Sequence, residues 1–383
     1  MKYRELGKTG LCVSEIGLGC EYLEGKQEDE LSAVIHEAMD QGINILDCFM
    51  SEPGVRTAIG KSLKGCREKV ILQGHFRTIW KDSQYARTLD PDLVRLFFED
   101  LLTRLDTSYI DIGMIHMVDN EEDYHQIFHG PIYDYVHSLK QQGIIKVIGM
   151  SSHNPAIALK AVEEDRIEVL MFSANAAYDL LDADMPRPRS LNRDFFEDLD
   201  VKGINSIRER LYSTCETKGV GITVMKSLAA GALLDETRSP FGMAMTVPQC
   251  IHYCLTRPGV SSVMAGLQTV AEVAEAVRYE DLSEAERDYS HILSARPKFS
   301  LEGHCMYCNH CLPCPSHLNI AQIQKYLDLA RLQPQVPPTI REHYLSLEQT
   351  AKDCIQCEQC EKRCPFHVPV RDRMEKALVL FGC

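Results

Sequence analysis

The sequence predicts an α/β fold in which a (β/α)8 barrel, or TIM barrel, is followed by a small α-helical domain. Two observations support this prediction. From residue 1 to about residue 285, eight short β-branched runs alternate with amphipathic segments of helical length, and a cysteine-rich segment follows. Such alternation indicates parallel strands joined by crossover helices. The predicted domains are therefore residues 1–285 and residues 286–383.

The candidate strands are residues 16–19, 43–47, 70–74, 109–115, 145–150, 168–173, 221–225 and 260–266. Helical segments such as 30–42 and 91–105 lie between them. Eight strand–helix units favour a closed barrel over an open doubly wound sheet, since no G-x-G-x-x-G turn follows the first strand. The connection between Tyr178 and Ile204 is unusually long. We expect it either to cover an active site or to be a surface insertion.

Charge and hydropathy narrow the possible partners. The formal net charge is −14, and residues 301–383 hold equal numbers of basic and acidic side chains, so binding to nucleic acid is not expected. No stretch approaches eighteen consecutive apolar residues, and the first ten residues show no apolar signal-peptide core. We therefore expect a cytoplasmic protein that does not insert into membranes.

Eight of the sixteen cysteines form two closely spaced runs, each ending in Cys-Pro. Three thiolates two residues apart can wrap one face of a cubane cluster, and in the bacterial-ferredoxin pattern the cysteine before proline ligates the other cluster. The spacing predicts two [4Fe–4S] clusters. Zinc sites and disulfides are the alternatives, but zinc modules usually use separated C-x-x-C pairs and nothing marks the chain as secreted. The predicted ligand sets are Cys305, Cys308, Cys311 and Cys364 for one cluster, and Cys354, Cys357, Cys360 and Cys314 for the other.

Several segments along the barrel resemble the aldo/keto reductase family, in its branch with a C-terminal ferredoxin-like iron–sulfur domain. This resemblance covers nearly the whole chain and implies an oxidoreductase whose nicotinamide cofactor lies across the C-terminal mouth of the barrel. The segments are KYRELGKTGLCVSEIGLGC, the stretch from Asp47 to Gly60, DIGMIH, IGMSSHN and GVGITVMKSLAAGALL.

The family uses an aspartate, a tyrosine, a lysine and a histidine, and this chain keeps two of the four. Asp47 and His116 match by position, whereas Glu52 stands at the tyrosine position and His75 follows the third strand where the family has lysine. The four residues predict either an altered acid/base set or the ligands of a divalent metal. Without the phenol we expect ordinary aldehyde reduction to be very slow. Tyr22, just past the first strand, is the phenol that the sequence offers as a substitute acid.

Further positions match the family's cofactor-binding residues. Serines after the fifth strand would contact the nicotinamide amide, and the loops after the seventh and eighth strands would run along the pyrophosphate and adenine. No Arg or Lys lies between Gly266 and Arg278, which weakens the case for NADP over NAD. The serines are equally suited to cap helices. The predicted cofactor residues are Ser151, Ser152, Asn175, Lys226, Ser227, Leu228, Gly266, Thr269 and Glu275.

Together these features predict an oxidoreductase that couples barrel-site redox chemistry on a small-molecule substrate to two [4Fe–4S] clusters. Its electron partner would be a ferredoxin or a flavoprotein. One alternative is a carrier or binding protein whose barrel has lost its chemistry. The other is a metal-dependent lyase or hydrolase that uses Asp47, His75 and His116.

Overall fold

A computed structural model describes residues 1–181, 204–294, 303–331 and 335–383. Its strands are β1 (Tyr3–Glu5), β2 (Cys12–Ser14), β3 (Ile16–Gly19), β4 (Ile45–Cys48), β5 (Ile71–Phe76), β6 (Thr78–Lys81), β7 (Gln84–Arg87), β8 (Ile110–Ile115), β9 (Ile145–Ser152), β10 (Val169–Ser173), β11 (Gly221–Met225) and β12 (Val260–Gly266). Eight of these, β3, β4, β5 and β8 to β12, pair in parallel, and β12 pairs with β3 to close the barrel. All eight predicted barrel strands are confirmed.

The α-helices of the described residues are Glu28–Asp40, Pro53–Ser62, Pro91–Arg104, Glu121–Phe128, Pro131–Gln141, Pro155–Glu163, Ser206–Lys218, Val247–Leu255, Val270–Val277, Glu284–Arg287, Ser290–Ser294, Ile320–Arg331, Pro338–Leu345, Gln359–Arg363 and Val370–Phe381. Several of them begin with proline. Proline fits the first helical turn because the N–H group that it lacks would have no hydrogen-bond partner within the helix there. In the described ranges, no helix is long and apolar enough to cross a membrane.

The barrel interior is filled by aliphatic and methionine side chains from alternate strands, including Ile45, Ile112, Met171 and Met264. The amino-terminal hairpin of β1 and β2 adds buried Leu6 to this core. Such filling makes the barrel a packed core and leaves the carboxyl-terminal loops to form a site.

Contacts divide the chain into two compact units. One consists of residues 1–174, 214–227 and 259–281 and contains all barrel strands; the other consists of residues 175–213, 228–258 and 282–383. The domain boundary between residues 285 and 286 stays a prediction. Most of the long connection before Ile204 lies outside the described residues, which include only its first turn, Tyr178–Leu180.

In the second unit, helices Ile320–Arg331 and Val370–Phe381 pack together, and Leu327 and Ala377 on them are buried. The ring of Tyr344 stacks on Phe381 at 3.9 Å between centroids. These helices form a small apolar core beside the cysteine loops, which agrees with the predicted ferredoxin-like domain.

A second hairpin, formed by β6 and β7, was not predicted. Asp82 and Ser83, at its tip, both have positive φ (53° and 58°), as a two-residue type I′ turn requires. Arg77 separates β5 from β6 and also has positive φ, 73°. The hairpin is anchored where Ser51 Oγ donates to the Ile79 carbonyl at 2.7 Å. The β6–β7 hairpin therefore has a fixed direction relative to β5.

Candidate functional site

A chain of hydrogen bonds joins three side chains at the carboxyl ends of adjacent barrel strands to a tyrosine of the β6–β7 hairpin. Asp47 Oδ1 lies 2.8 Å from His75 Nε2, and His75 Nδ1 lies 2.8 Å from His116 Nδ1. His116 Nε2 in turn lies 2.8 Å from the hydroxyl of Tyr85. Asp47 belongs to β4, His75 to β5, and His116 directly follows β8. The structure thus brings together three of the four predicted catalytic residues and adds a phenol.

The inner end of the chain is buried and fixed. Asp47 and His75 are each 2% exposed. Gln73 Nε2 donates to Asp47 Oδ1 at 3.0 Å, while its Oε1 accepts from Thr223 Oγ1 at 3.0 Å. Because the amide of Gln73 donates to Asp47, the carboxylate is an acceptor, and His75 donates to it through Nε2–H.

The ring of Phe49 holds the two imidazoles in place. It stacks on His116 with 5.4 Å between centroids and planes 6° apart, and it meets His75 and Tyr85 edge-on at 6.0 Å and 6.1 Å. This apolar contact excludes water from one face of the chain. It also limits rotation of the His116 ring, which keeps both of its nitrogens in line with their partners.

Burial shifts two pKa values in the chain. It lowers the pKa of His116 well below 6.5, and His75, Arg77 and Arg87 act in the same direction. Burial raises the pKa of Tyr85, and the positive charges of Arg87 and Arg77 oppose this shift. His116 is therefore neutral and Tyr85 is a phenol at neutral pH, which are the forms needed to pass a proton along the chain.

Glu52 is not part of this chain of hydrogen bonds and instead contacts the start of a helix. Its carboxylate caps the helix that begins at Pro53 and accepts hydrogen bonds from the backbone N–H groups of Gly54, at 2.8 Å, and Val55. Capping by a carboxylate satisfies free N–H groups and interacts favourably with the helix dipole. An acid/base role for Glu52 stays a prediction that these contacts do not strengthen.

Tyr22, the phenol proposed from the sequence, lies elsewhere. Its ring covers Gly266, where an added Cβ would come within 2.6 Å of the ring, and its side chain is 42% exposed. Sequence reasoning missed Tyr85 because it lies ten residues beyond His75, within the unpredicted hairpin. The one available signal was the polar alternation around the Asp82–Ser83 turn.

The predicted nicotinamide residues are occupied by protein partners. Ser151 Oγ accepts from Met117 N–H at 2.8 Å, and Ser152 Oγ donates to Asp119 at 3.1 Å. Asn175 Oδ1 accepts from the backbone N–H groups of Ala177 and Tyr178 in a tight turn.

In the loops after β11 and β12, the predicted cofactor residues likewise contact other groups of the protein. Lys226 Nζ lies 3.4 Å from Glu21, and Thr269 caps the helix Val270–Val277. Glu272 Oε2 accepts from Gln268 N–H at 2.6 Å, which places a carboxylate where a phosphate would bind. Further along, Glu275 pairs with Arg278 at 3.6 Å, Gly266 lies beneath Tyr22, Ser227 is buried and Leu228 half-buried.

The predicted metal alternative finds no converging ligand set. Within the residues that the structure describes, no group of three or more His, Cys, Asp or Glu side chains is placed to hold one metal ion. At the barrel mouth the imidazole nitrogens point at each other and at Asp47 and Tyr85. This is the geometry of proton transfer.

The eight clustered cysteines surround two separate cavities in the second unit. The buried residues Ile320 and Val370 border both cavities. The first cavity is lined by Cys305, Cys308, Cys311 and Cys364, and the second by Cys314, Cys354, Cys357 and Cys360. These groupings are the two predicted ligand sets.

The two cysteine loops repeat the same backbone pattern. Tyr307 and Asn309 in the first loop have φ of 55° and 62°, and the corresponding Gln356 and Glu358 in the second have 56° and 64°. Alternation with left-handed residues turns successive N–H groups toward one side, forming a concave anion-binding surface. Such loops suit an anionic cluster.

Backbone N–H groups already contact the sulfurs of the first loop. The N–H of Tyr307 contacts Cys305 and that of His310 contacts Cys308, favouring the thiolates. Burial nevertheless raises the pKa of Cys308 to about 11 and that of Cys311 to about 12. Binding of iron must therefore displace protons from these thiols.

Comparison with known proteins identifies the class. Residues 15–249 match the aldo/keto reductase family, and residues 304–369 match a 4Fe-4S dicluster domain. The chain belongs to the aldo/keto reductase family and carries a 4Fe-4S dicluster domain. The predicted family and fold class are thus confirmed.

The relatives include two proteins of Bacillus subtilis (strain 168). The uncharacterized oxidoreductase YqkF is 29% identical over 178 residues, covering 45% of this chain and 55% of the relative. The aldo-keto reductase YhdN is 27% identical over 197 residues, covering 48% and 56%. The chain therefore spans little more than half the length of these relatives.

Solved structures share the fold. The aldo-keto reductase AKR11C1 from Bacillus halodurans, in its holo form, has a TM-score of 0.59 at 23% identity, with 78% of this chain and 97% of the other covered. The putative aldo-keto reductase PA4992 from Pseudomonas aeruginosa has a TM-score of 0.56 at 22% identity, with 72% and 93% covered.

Proposed function

We propose that the chain interconverts a carbonyl compound and an alcohol at the barrel mouth and exchanges electrons through two [4Fe–4S] clusters. The observation that carries this proposal is the chain of 2.8 Å hydrogen bonds from Asp47 through His75 and His116 to Tyr85. In it, Tyr85 is the acid that contacts the substrate oxygen. The sequence-based expectation of very slow aldehyde reduction assumed that no such phenol was present.

Proton transfer begins with one proton stored on His75, beside the Asp47 carboxylate. Tyr85 gives its hydroxyl proton to the substrate alkoxide, His116 gives its Nε2 proton to Tyr85, and His75 gives its Nδ1 proton to His116. The alcohol leaves, and both imidazoles are neutral. Oxidation of an alcohol runs the same steps backwards, with the proton ending on His75. Asp47 keeps its charge throughout and stabilises the imidazolium, as a buried carboxylate does beside a catalytic histidine.

Two arginines supply positive charge near the Tyr85 phenol, as the lysine that is missing here does for the phenol of the family. Tyr85 and Arg87 are two residues apart on β7, so their side chains share one face of the hairpin. Arg77 is buried and donates to the His116 carbonyl at 2.7 Å. Both charges favour ionised Tyr85 and so stabilise negative charge on the neighbouring substrate oxygen during transfer.

The cysteine cavities fit iron–sulfur clusters on two grounds. Each is lined by four cysteines, three from a C-x-x-C-x-x-C run and one from the Cys-Pro of the other run. The left-handed residues of both loops turn backbone N–H groups toward the thiolates. Reduction of a carbonyl to an alcohol takes two electrons and two protons. Such clusters carry single electrons, so two of them together would supply the electron pair, while Tyr85 supplies the proton on oxygen and solvent the proton on carbon. Their partner would be a ferredoxin or flavoprotein.

A nicotinamide cofactor remains a prediction from the family and enters none of these steps. The contacts of Ser151, Ser152 and Glu272 with their protein neighbours do not form a ready-made site for it. Electrons can enter from a chemical donor instead, which makes the acid/base proposal testable without nicotinamide.

The experiment compares Tyr85→Phe with Tyr22→Phe in anaerobically purified protein. Aldehydes and ketones are assayed for reduction with NADH, NADPH and reduced viologen dye. Loss of a positioned acid costs about a hundred- to ten-thousandfold in rate. We therefore expect that loss in kcat for Tyr85→Phe and a change of less than about threefold for Tyr22→Phe. Full activity of Tyr85→Phe, or loss confined to Tyr22→Phe, would overturn the assignment.

A further inference from the structure

A buried guanidinium lies against the first cysteine loop. Arg257, just after the helix Val247–Leu255, is 2% exposed. Its Nη2 donates to the Met306 carbonyl at 2.9 Å, between two predicted cluster ligands. The hydroxyl of Tyr289 donates to the same carbonyl at 2.8 Å. The loop that holds Cys305 and Cys308 is therefore fixed by a positive charge.

Aromatic rings and neutral acceptors surround this charge. The guanidinium lies 4.6 Å from the ring centroid of Tyr253 and 5.5 Å from that of Tyr307. Its other hydrogen bonds go to the Tyr253 carbonyl, at 3.3 Å, and to the hydroxyls of Thr256, at 3.0 Å, and Tyr289, at 3.4 Å. Throughout the described ranges, no carboxylate lies within ion-pair distance of Arg257.

Two carboxylates attract Arg257 from farther away, the buried Asp179 and the half-buried Glu209, and Asp179 is already engaged. Asp179 accepts from the hydroxyls of Tyr212 and Tyr253 at 2.7 and 2.8 Å and pairs with Arg208 at 3.4 Å. Burial of a charge is costly unless an opposite charge accompanies it. A [4Fe–4S] core with four thiolates is anionic in both of its usual oxidation states and would provide that opposite charge.

We infer that Arg257 is the counter-charge of the cluster held by Cys305, Cys308, Cys311 and Cys364 and raises the reduction potential of that cluster. This inference rests on the proposed two-cluster assignment. The reduced cluster carries one more negative charge than the oxidised one, so a fixed cation beside its loop stabilises the reduced form. Net charge and burial are among the factors that set cluster potentials.

The test is an anaerobic redox titration of the full chain, followed by electron paramagnetic resonance. A Cys308→Ser variant identifies the signal of the first cluster. We expect Arg257→Gln to weaken the electron affinity of that cluster at least tenfold, equivalent to about 59 mV for a one-electron couple. The second cluster, in the same molecule, should not change. Arg257→Lys keeps the charge and should retain most of the affinity.

The matched control removes a cation together with its carboxylate. Arg373 pairs with Asp328 at 2.5 Å and also lies near Cys305, so Arg373→Gln combined with Asp328→Asn removes no net charge. It should shift neither potential. Equal effects of Lys and Gln at position 257, or shifts in both clusters, would overturn the inference.

Iron content distinguishes a failure of the Arg257 inference from a failure of the two-cluster assignment. Fewer than eight irons in the unaltered chain contradicts the two-cluster assignment, whatever Arg257 does. If Arg257→Gln and Arg257→Met lose only the first cluster while Arg257→Lys keeps both, the charge is required for binding and the inference stands. Loss of both clusters in all three variants shows a merely structural arginine and overturns it.

Discussion

The Nδ1 atoms of His75 and His116 lie 2.8 Å apart, so one ring must donate to the other. Two histidines in such contact act as one unit: removal of either interrupts the same proton path. Groups that act as a unit show strongly non-additive effects on rate. The structure therefore also predicts how the effects of replacing the two histidines combine.

We expect His75→Gln and His116→Gln each to lower kcat for carbonyl reduction by about a hundredfold or more. The double variant should be no slower than the worse single variant by more than about threefold. Steady-state rates with one aldehyde measure this, and His36→Gln, altered at a helix residue far along the chain from the site, is the control. Multiplying effects in the double variant would show two independent roles.

Stability in acid should depend on His116. Because the folded protein holds its pKa well below 6.5, chiefly by burial, the unfolded chain binds the extra proton first as pH falls below about 6.5. Stability then decreases with falling pH by up to about 1.4 kcal/mol per pH unit for this one proton. Above pH 6.5 the contribution is fully present.

Urea denaturation between pH 5 and 7 measures this slope. Trp80, the one tryptophan of the sequence, lies opposite Tyr85 across the hairpin and reports unfolding there. His116→Gln should show a smaller loss of stability in acid than the unaltered chain. Identical pH slopes would mean that His116 is protonated in the folded protein as readily as in the unfolded one.

The sequence predicts the barrel well and its site only in part. Strand positions follow from local β-branched runs, and Asp47, His75 and His116 follow from the rule that strand ends converge at the barrel mouth. Tyr85 depends on a hairpin whose direction is set by positive φ at Arg77 and by the Asp82–Ser83 turn. The polar residues around that turn signal a hairpin, but no sequence pattern sets its direction. The helix cap formed by Glu52 was not foreseen, because position in a motif does not reveal a cap.

The predicted cluster ligands show the opposite situation. Their spacing alone predicts both sets, because the chemistry of a cubane dictates the C-x-x-C-x-x-C run. Arg257 was not predictable, since it lies 48 residues before Cys305 and only folding places it against the Met306 carbonyl. Local chemistry is readable from sequence, whereas contacts between distant segments are not.

Nicotinamide binding should be weak and should not discriminate between NADH and NADPH. Glu272 lies at the start of the helix that would receive a phosphate, and no basic side chain follows Gly266 before Arg278. Titrations followed through Trp80 emission give both affinities. Glu272→Gln removes the repelling charge and should tighten both equally by a few-fold. NADPH binding tenfold tighter than NADH would show another source of phosphate recognition.

The last prediction concerns which cluster each Cys-Pro cysteine serves. Cys364 follows the second cysteine run in sequence but lines the cavity of the first, and Cys314 lines the cavity of the second. We therefore expect Cys364→Ala to remove or alter the cluster of Cys305, and Cys314→Ala to alter that of Cys357. The unaltered chain should contain eight irons and eight sulfides.

The spectra of Cys364→Ala and Cys314→Ala are compared with that of Cys357→Ala. Cys357→Ala removes a ligand of the second cluster, so its remaining resonance signal belongs to the first. Cys314→Ala should leave that same signal intact, whereas Cys364→Ala should change it. Cys12→Ala, an exposed cysteine in β2, should keep both clusters and all eight irons. If Cys364→Ala instead reproduces the spectrum of Cys357→Ala, each run ligates its own cluster and the crossed arrangement is wrong.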